Sequence, residues 1–254
     1  MSRWERALVT GASSGIGREM ARQLAADGTK LVLVARTEER LNELAADVDV
    51  ECEVLRADLA DPTELSYVED RVRDTVKPID LVINNAGFGF TGPAHELDVE
   101  RETSVVDVNV GALHRLSLIA ARRMAAAGRG GILNVSSLAG FMSNPDVATY
   151  AATKAFVTTF TESLHTDLKQ TGVHVSALCP GFTRTEFQTR ADYDTSKLPA
   201  MMWQSAEEVA RAGLRGIDAN TAIIVPGAQN KVGAAMLTVM PRRAIRFAMS
   251  KLPT

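Results

Sequence analysis

Four side chains in this sequence have types and spacings that suit acid–base chemistry. Tyr150 and Lys154 stand four apart in Y-A-A-T-K, the opening of a segment with helical spacing. On a helix they share one face, roughly 6 Å apart between Cβ atoms. A phenol with a cation one turn away is either a proton-transfer pair or a tyrosine at a helix start with a solvated lysine nearby. The pair alone does not choose between them. Ser137 lies 13 residues earlier, in N-V-S-S-L-A-G. It follows a strand-like run, so it would stand at the carboxyl edge of a sheet, where open α/β folds bind ligands. Asn109 interrupts the apolar stretch VVDVNVGAL, and a buried amide there must be a structural bridge or part of a polar site.

A second set of residues suits a dinucleotide. The run T10-G-A-S-S-G-I-G17 joins a strand-like segment to an amphipathic one. Small residues at that junction let the backbone approach a pyrophosphate, and the helix N-terminus offers free N–H groups. Gly11, Ser13, Ser14, Gly15, Ile16 and Gly17 are therefore cofactor-binding candidates, with a tight strand-to-helix turn as the rival account. At the end of the second strand stands Ala35, followed by Arg36 and Thr37. No carboxylate occupies the place that would hold a ribose 2′-hydroxyl, and a guanidinium with a hydroxyl suits a 2′-phosphate instead. That favours NADP(H) over NAD(H), although a solvated arginine at a helix start would look the same. Asp58 and Leu59 follow the third strand, where a carboxylate can accept from an adenine amino group. The fourth strand ends in N84-N-A-G87, a turn able to tie strand ends together beside a ribose.

The elements that must position these residues are legible as alternating patterns. Strand candidates fall at 6–10, 30–35, 51–57, 80–84, 131–136, 174–180 and 221–226. Helix candidates fall between them at 15–27, 37–47, 61–75, 99–127, 149–171 and 205–218. Several strands are apolar on both parities, such as L31-V-L-V34, which suits parallel strands covered by helices on both faces. The order predicts one α/β domain, a doubly wound parallel sheet with right-handed crossovers. A further helical segment at about 229–252 extends it, broken near Pro241.

Bulk properties exclude several classes. Net charge is −3 over 254 residues, which gives no global case for nucleic-acid binding. Two cysteines far apart and four scattered histidines support neither a disulfide framework nor a metal site. The start MSRWERALVTG has no signal-peptide pattern, and a cytoplasmic protein is expected. Asp218 is the last acidic residue, while Lys231, Arg242, Arg243, Arg246 and Lys251 follow it. This basic, methionine-rich tail suits packing on the body or a neighbouring subunit better than contact with an anionic membrane.

Taken in order, the glycine-rich turn, N84-N-A-G87, Asn109, Ser137, Tyr150-x-x-x-Lys154 and P180-G181 resemble the short-chain dehydrogenase/reductase superfamily over roughly residues 5 to 226. The resemblance implies a Rossmann-type sheet of seven parallel strands and hydride exchange between a carbonyl and an alcohol. It makes Tyr150 the acid/base and Lys154 the cation that lowers the phenol's pKa and grips the nicotinamide ribose. Ser137 becomes the donor to the substrate oxygen, and Asn109 the holder of a proton-relay water. It adds Asn85, Ala86, Gly87, Tyr150, Lys154, Pro180, Gly181, Thr183 and Thr185 to the cofactor contacts, and makes 182–204 a substrate lid. Phe88, Phe90, Phe141, Met142 and the lid residues Phe187, Tyr193, Leu198, Met201, Met202 and Trp203 then suggest a hydrophobic ketone substrate. The implied assembly is a homodimer or homotetramer. A dinucleotide-binding regulator without turnover is the rival function, and the intact Asn109, Ser137, Tyr150 and Lys154 set argues against it.

Overall fold

The computed structural model describes residues 3–193 and 199–249. Its core is a seven-stranded parallel sheet built from β1 (Arg6–Thr10), β2 (Lys30–Ala35), β3 (Cys52–Arg56), β4 (Leu81–Asn84), β5 (Gly130–Val135), β6 (Val173–Leu178) and β9 (Ile223–Ile224). The spatial order is β3-β2-β1-β4-β5-β6-β9. Strand order reverses between β1 and β4, so a crevice opens there at the carboxyl ends, the usual ligand position in such sheets.

Double-sided burial explains the strand sequences. Ala7 and Val9 of β1 and Leu31 and Leu33 of β2 face one core, shared with Met20 and Leu24 of α1 (Gly15–Ala26), Leu41 of α2 (Glu38–Ala46) and Ile217 of α8 (Ala206–Asp218). Leu8, Val32 and Val34 face the other core, with Val68 of α3 (Pro62–Arg73), Leu116 of α5 (Leu113–Ala127) and Leu164 of α6 (Ala148–Asp167). Alternate residues of one strand thus enter opposite cores, and neither parity can be polar.

The long helix expected over 99–127 is not continuous. α4 (Val99–Val106) passes into a π-helical turn, Asp107–Ala112, before α5 begins. The wider turn carries Asn109 inward, where it is fully buried. Such π turns are often found at functional sites.

The segment after β6 forms a cap. β7 (Thr183–Arg184) pairs with β8 (Gln204–Ser205) and brackets the short α7 (Phe187–Arg190). The final pattern splits into α9 (Ala228–Val239) and α10 (Arg242–Met249), separated at Pro241. Among the described residues no helix is long and apolar enough to cross a membrane.

Candidate active site

One cleft of about 1100 Å³ runs from the glycine-rich loop to Tyr150. It is lined by Gly11, Ser13, Ser14, Gly15 and Ile16, by Arg36, Thr37, Asp58 and Leu59, and by Asn85, Ala86 and Gly87. Ser137, Tyr150, Lys154, Pro180, Gly181, Thr183 and Thr185 complete that line. Two expected residues do not reach the cleft, Gly17 and Asn109.

The loop is held by the N-N-A-G turn. Asn85 Nδ2 donates to Thr10 O (2.9 Å) and Gly11 O (3.2 Å), while Thr10 Oγ1 accepts from the N–H groups of Asn85 and Ala86, both at 3.0 Å. Gly11 adopts φ 65°, a conformation that side chains disfavour. Gly17 is corrected from cofactor contact to packing residue. A Cβ there would lie 2.3 Å from Asn85 Nδ2 and 2.5 Å from Gly11 O, so its missing side chain lets helix α1 close onto the turn.

The residues facing the cleft fit a nicotinamide dinucleotide. Ser14, the N-cap of α1, makes no capping bond, and the first turn of α1 holds no acid. Free N–H groups and a hydroxyl not used for capping thus meet the cleft where a pyrophosphate would lie. Arg36 is largely exposed and stands 4.0 Å from Asp58 Oδ2. The other Asp58 oxygen accepts from Ala60 N (3.0 Å), so this carboxylate builds its own loop as well as facing the cleft.

At the opposite end the polar groups are buried. Lys154 is almost fully enclosed, and its Nζ donates to Val135 O at 2.8 Å. Its own carbonyl accepts from Ser136 Oγ (2.8 Å) and Thr158 Oγ1 (3.0 Å). Burial pulls the lysine down to about 8, because a desolvated ammonium gives up its proton more readily. Burial likewise pushes the Tyr150 phenol up to about 12, opposed by its hydrogen bond with Ser137. The expected lowering of Tyr150 by Lys154 is therefore not found in this state. The ammonium uses one of its N–H donors on Val135 and lies 5.6 Å from the Tyr150 ring centroid, and desolvation outweighs its effect.

Asn109 bridges two parts of the site, one of the two readings its sequence context allows. Its Oδ1 accepts from Phe88 N (3.0 Å), and its Nδ2 donates to Phe88 O (2.9 Å) and Thr153 Oγ1 (3.1 Å). Thr153 Oγ1 donates in turn to Tyr150 O (2.7 Å). The amide clamps the strand end after N-N-A-G onto the helix that carries Tyr150. Both donor hydrogens of the amide are thus used to hold this geometry, and its oxygen accepts one bond. A Cβ on Gly87 would lie 3.0 Å from Asn109 Oδ1 and 3.2 Å from Lys154 Nζ, so this glycine keeps the two polar groups close.

The substrate part of the cleft sets apolar side chains beside the polar Asn144, Asp146, Gln188 and Asp192. Phe88, Phe90, Met142, Phe182, Phe187, Tyr193 and Met202 line it, with the Phe187 ring 5.3 Å from that of Tyr150. Phe141 and the exposed Met201 do not line it. Trp203 instead borders a separate groove of about 640 Å³, packed on Phe182 and beneath Arg184. Leu198 lies outside the described residues. Sequence reasoning missed Gly89, whose Cβ would strike the Tyr150 ring at 2.9 Å, and the tail residues Asn230 and Leu237, which line the cleft. Asn230 Nδ2 donates to Gln204 Oε1 (2.8 Å) and Pro226 O (2.9 Å), which ties α9 to the end of the cap.

Comparison with known proteins gives this arrangement its family. Residues 5–196 match the short chain dehydrogenase family. The chain is 36% identical over 222 residues to gluconate 5-dehydrogenase of Gluconobacter oxydans, covering 82% of this chain and 86% of that protein. A short-chain dehydrogenase from Sphingobium yanoikuyae, solved in complex with NADPH, superposes with a TM-score of 0.85 at 34% identity, over 98% of this chain and 96% of that one. The bulky-bulky ketone specific alcohol dehydrogenase from Comamonas testosteroni gives 0.79 at 31% identity, over 100% and 96%. This chain belongs to the short-chain dehydrogenase/reductase family, as an NAD(P)-dependent oxidoreductase acting on an alcohol or carbonyl group.

Proposed function

We propose that the protein reduces a bulky hydrophobic ketone with NADPH. The observation that carries this reading is the apolar, largely aromatic wall facing the Tyr150–Ser137 pair. Such a wall desolvates an apolar carbonyl compound favourably, and the polar lining residues Asn144, Asp146, Gln188 and Asp192 leave a few directional contacts beside it. The likeness to a bulky ketone specific enzyme supports it. The likeness to gluconate 5-dehydrogenase points toward a polar substrate, and the Phe88, Phe90, Phe182 and Phe187 rings weigh against that.

The cofactor, when bound, supplies the hydride. Ser137 Oγ donates to the substrate oxygen and strengthens its bond as negative charge develops there. Tyr150 Oη gives its proton to that oxygen. A phenol held above its ordinary pKa keeps the proton until an alkoxide more basic than itself forms. Lys154, fixed through Val135, has further N–H donors for the ribose of the cofactor. Asn109 and Thr153 fix the helix start so that Tyr150 and Ser137 stay together. Arg36 and Thr37 hold the 2′-phosphate, which makes NADP(H) the preferred dinucleotide. The segment from 229 onward belongs to the catalytic domain and closes the substrate end of the cleft, and the assembly is a homodimer or homotetramer.

A panel of carbonyls assayed with NADPH and NADH tests the reading. Aryl, long-chain 3-oxoacyl and steroid-like ketones should turn over with NADPH at kcat/KM at least tenfold above keto-gluconate. Faster turnover of the sugar acid, or no turnover with any carbonyl despite tight NADPH binding, would refute it.

A further inference from the structure

The adenosine end of the cleft carries an ion-pair cluster that the chemistry above leaves unused. Glu186, the residue before α7, accepts from Arg40 Nη1 through both carboxylate oxygens, at 3.0 and 2.9 Å. It also pairs with Arg190, one turn further along. Arg190 Nη1 in turn lies 3.4 Å from Ser14 Oγ, the uncapped N-cap hydroxyl of α1. One carboxylate therefore links α2, α7 and the glycine-rich loop. Glu186, Arg190 and Ser14 line the cleft together with Arg36 and Thr37, and Arg40 lies in the first turn of α2, four residues after Arg36.

The balance of charge in this cluster favours exchange. Two guanidiniums share one carboxylate, so the cluster carries a net positive charge; Glu186 and Arg190 line the cleft, and Arg40 is joined to it through Glu186. All three side chains are about half exposed, which means that water and salt screen the pairs and the link is weak. The Arg40 bond holds Glu186 below its usual range, so the carboxylate is ionised at neutral pH and competes as an anion.

We infer that Arg40 is a second 2′-phosphate-binding residue and that Glu186 is the internal anion which the phosphate displaces from it. This rests on the NADP(H) reading above. A phosphate monoester carries more charge than a carboxylate and offers three oxygens, so it can take Arg40 in a forked bond and still reach Arg36. Displacing Glu186 removes the tie between α2 and α7. Helix α7 begins with Phe187, whose ring rests on Tyr150. Selection of the phosphorylated dinucleotide and release of the cap over the acid/base are thus one event. NADH, lacking the phosphate, leaves Glu186 on Arg40.

The two halves of the pair must then act with opposite sign. Arg40→Gln removes a phosphate ligand, whereas Glu186→Gln removes the phosphate's competitor. A merely structural ion pair would shift both variants in one direction. Fluorescence titration of the full chain should show Arg40→Gln weakening NADPH about tenfold with NADH changed less than about threefold. Glu186→Gln should tighten NADPH, and the NADH affinity of each variant doubles as the check that the cleft is folded. In wild type, 2′-AMP should speed amide hydrogen exchange across 186–190 and 5′-AMP should not; in Glu186→Gln that segment should already exchange fast. Equal losses for both dinucleotides, same-sign shifts in the two variants, or exchange indifferent to 2′-AMP would each overturn the assignment. If Arg36→Ala abolishes the NADPH preference and Arg40→Gln does not, the NADP(H) reading stands and this one falls. A wild type that binds NADH as tightly as NADPH overturns both.

Discussion

The two ends of the cleft use polar groups in opposite ways. At the phenol end Lys154, Asn109, Thr153 and Thr158 are buried and bonded to named partners. At the adenosine end the side chains are exposed: Arg40 and Arg190 pair with Glu186, and Arg36 pairs with Asp58. Burial makes the first set rigid and shifts its proton equilibria by about two units. Exposure leaves the second set weakly paired and exchangeable. The chemistry end is therefore prepared before a ligand arrives, and the adenosine end is built to be rearranged by one.

The largest effect should come from breaking the buried end. Tyr150→Phe deletes the proton donor and keeps the ring against Phe187 and Gly89. Turnover should fall by roughly 10³-fold, with NADPH affinity by titration changed less than about threefold. Equal losses in both would mean that the two ends are not separable.

Next in size is a stability effect. The folded pKa of Lys154 is about 8 against an ordinary 10.5, so the folded chain loses this proton first. Below pH 8 both states hold it, and the full cost of burying a cation is present. Between 8 and 10.5 the unfolded state binds more protons, so stability rises with pH. Tyr150 works the other way, at about 12 against 10: between 10 and 12 the folded state keeps a proton that the unfolded state loses, and stability falls. Lys154→Met removes the first effect and keeps the second. Urea unfolding should show wild type gaining about 3 kcal/mol on the variant between pH 7.5 and 10.5. A flat difference would mean that the ammonium is not desolvated.

The same contrast explains what could be read from the sequence. Strands of a parallel sheet must be apolar on both parities, so L31-V-L-V34 and its counterparts announced the fold. The glycine turn, Ser137 and Tyr150-x-x-x-Lys154 were legible because fixed spacing along one chain reproduces their geometry. The π turn was not, since the apolar periodicity of 99–127 runs through it without a breaker. Asn109 looked like a polar site residue because nothing in VVDVNVGAL names Phe88, the backbone it clamps. Nor does apolar content tell direction: Phe187 faces the phenol and Trp203 turns to the outer groove. Asn230 and Leu237 lie in a basic, methionine-rich stretch whose composition suits packing on the body or covering the cleft but marks no single residue for it. Lys154 looked available to the phenol because its partner, Val135 O, is a backbone atom that no residue type announces.

The smallest effect should appear where exposure is greatest. Arg36 lies two-thirds exposed and 4.0 Å from Asp58, so removing it breaks no packing and leaves no buried charge unpaired. Arg36→Ala should leave the urea midpoint within error of wild type. It should cut the NADPH-over-NADH preference about tenfold, the cost of one charge-assisted contact. Ionic strength then separates the two ends. Because Arg36, Arg40 and Arg190 face solvent, raising salt from about 0.05 to about 0.5 M should erode the wild-type preference for NADPH, as the Debye length shrinks from above about 10 Å to only a few Å. The pH-dependent gain tied to Lys154 should survive the same salt, since its cost is desolvation by a protein interior that ions do not enter. A salt-insensitive NADPH preference would place the phosphate-binding cations in a buried site, and the contrast between the two ends would fail.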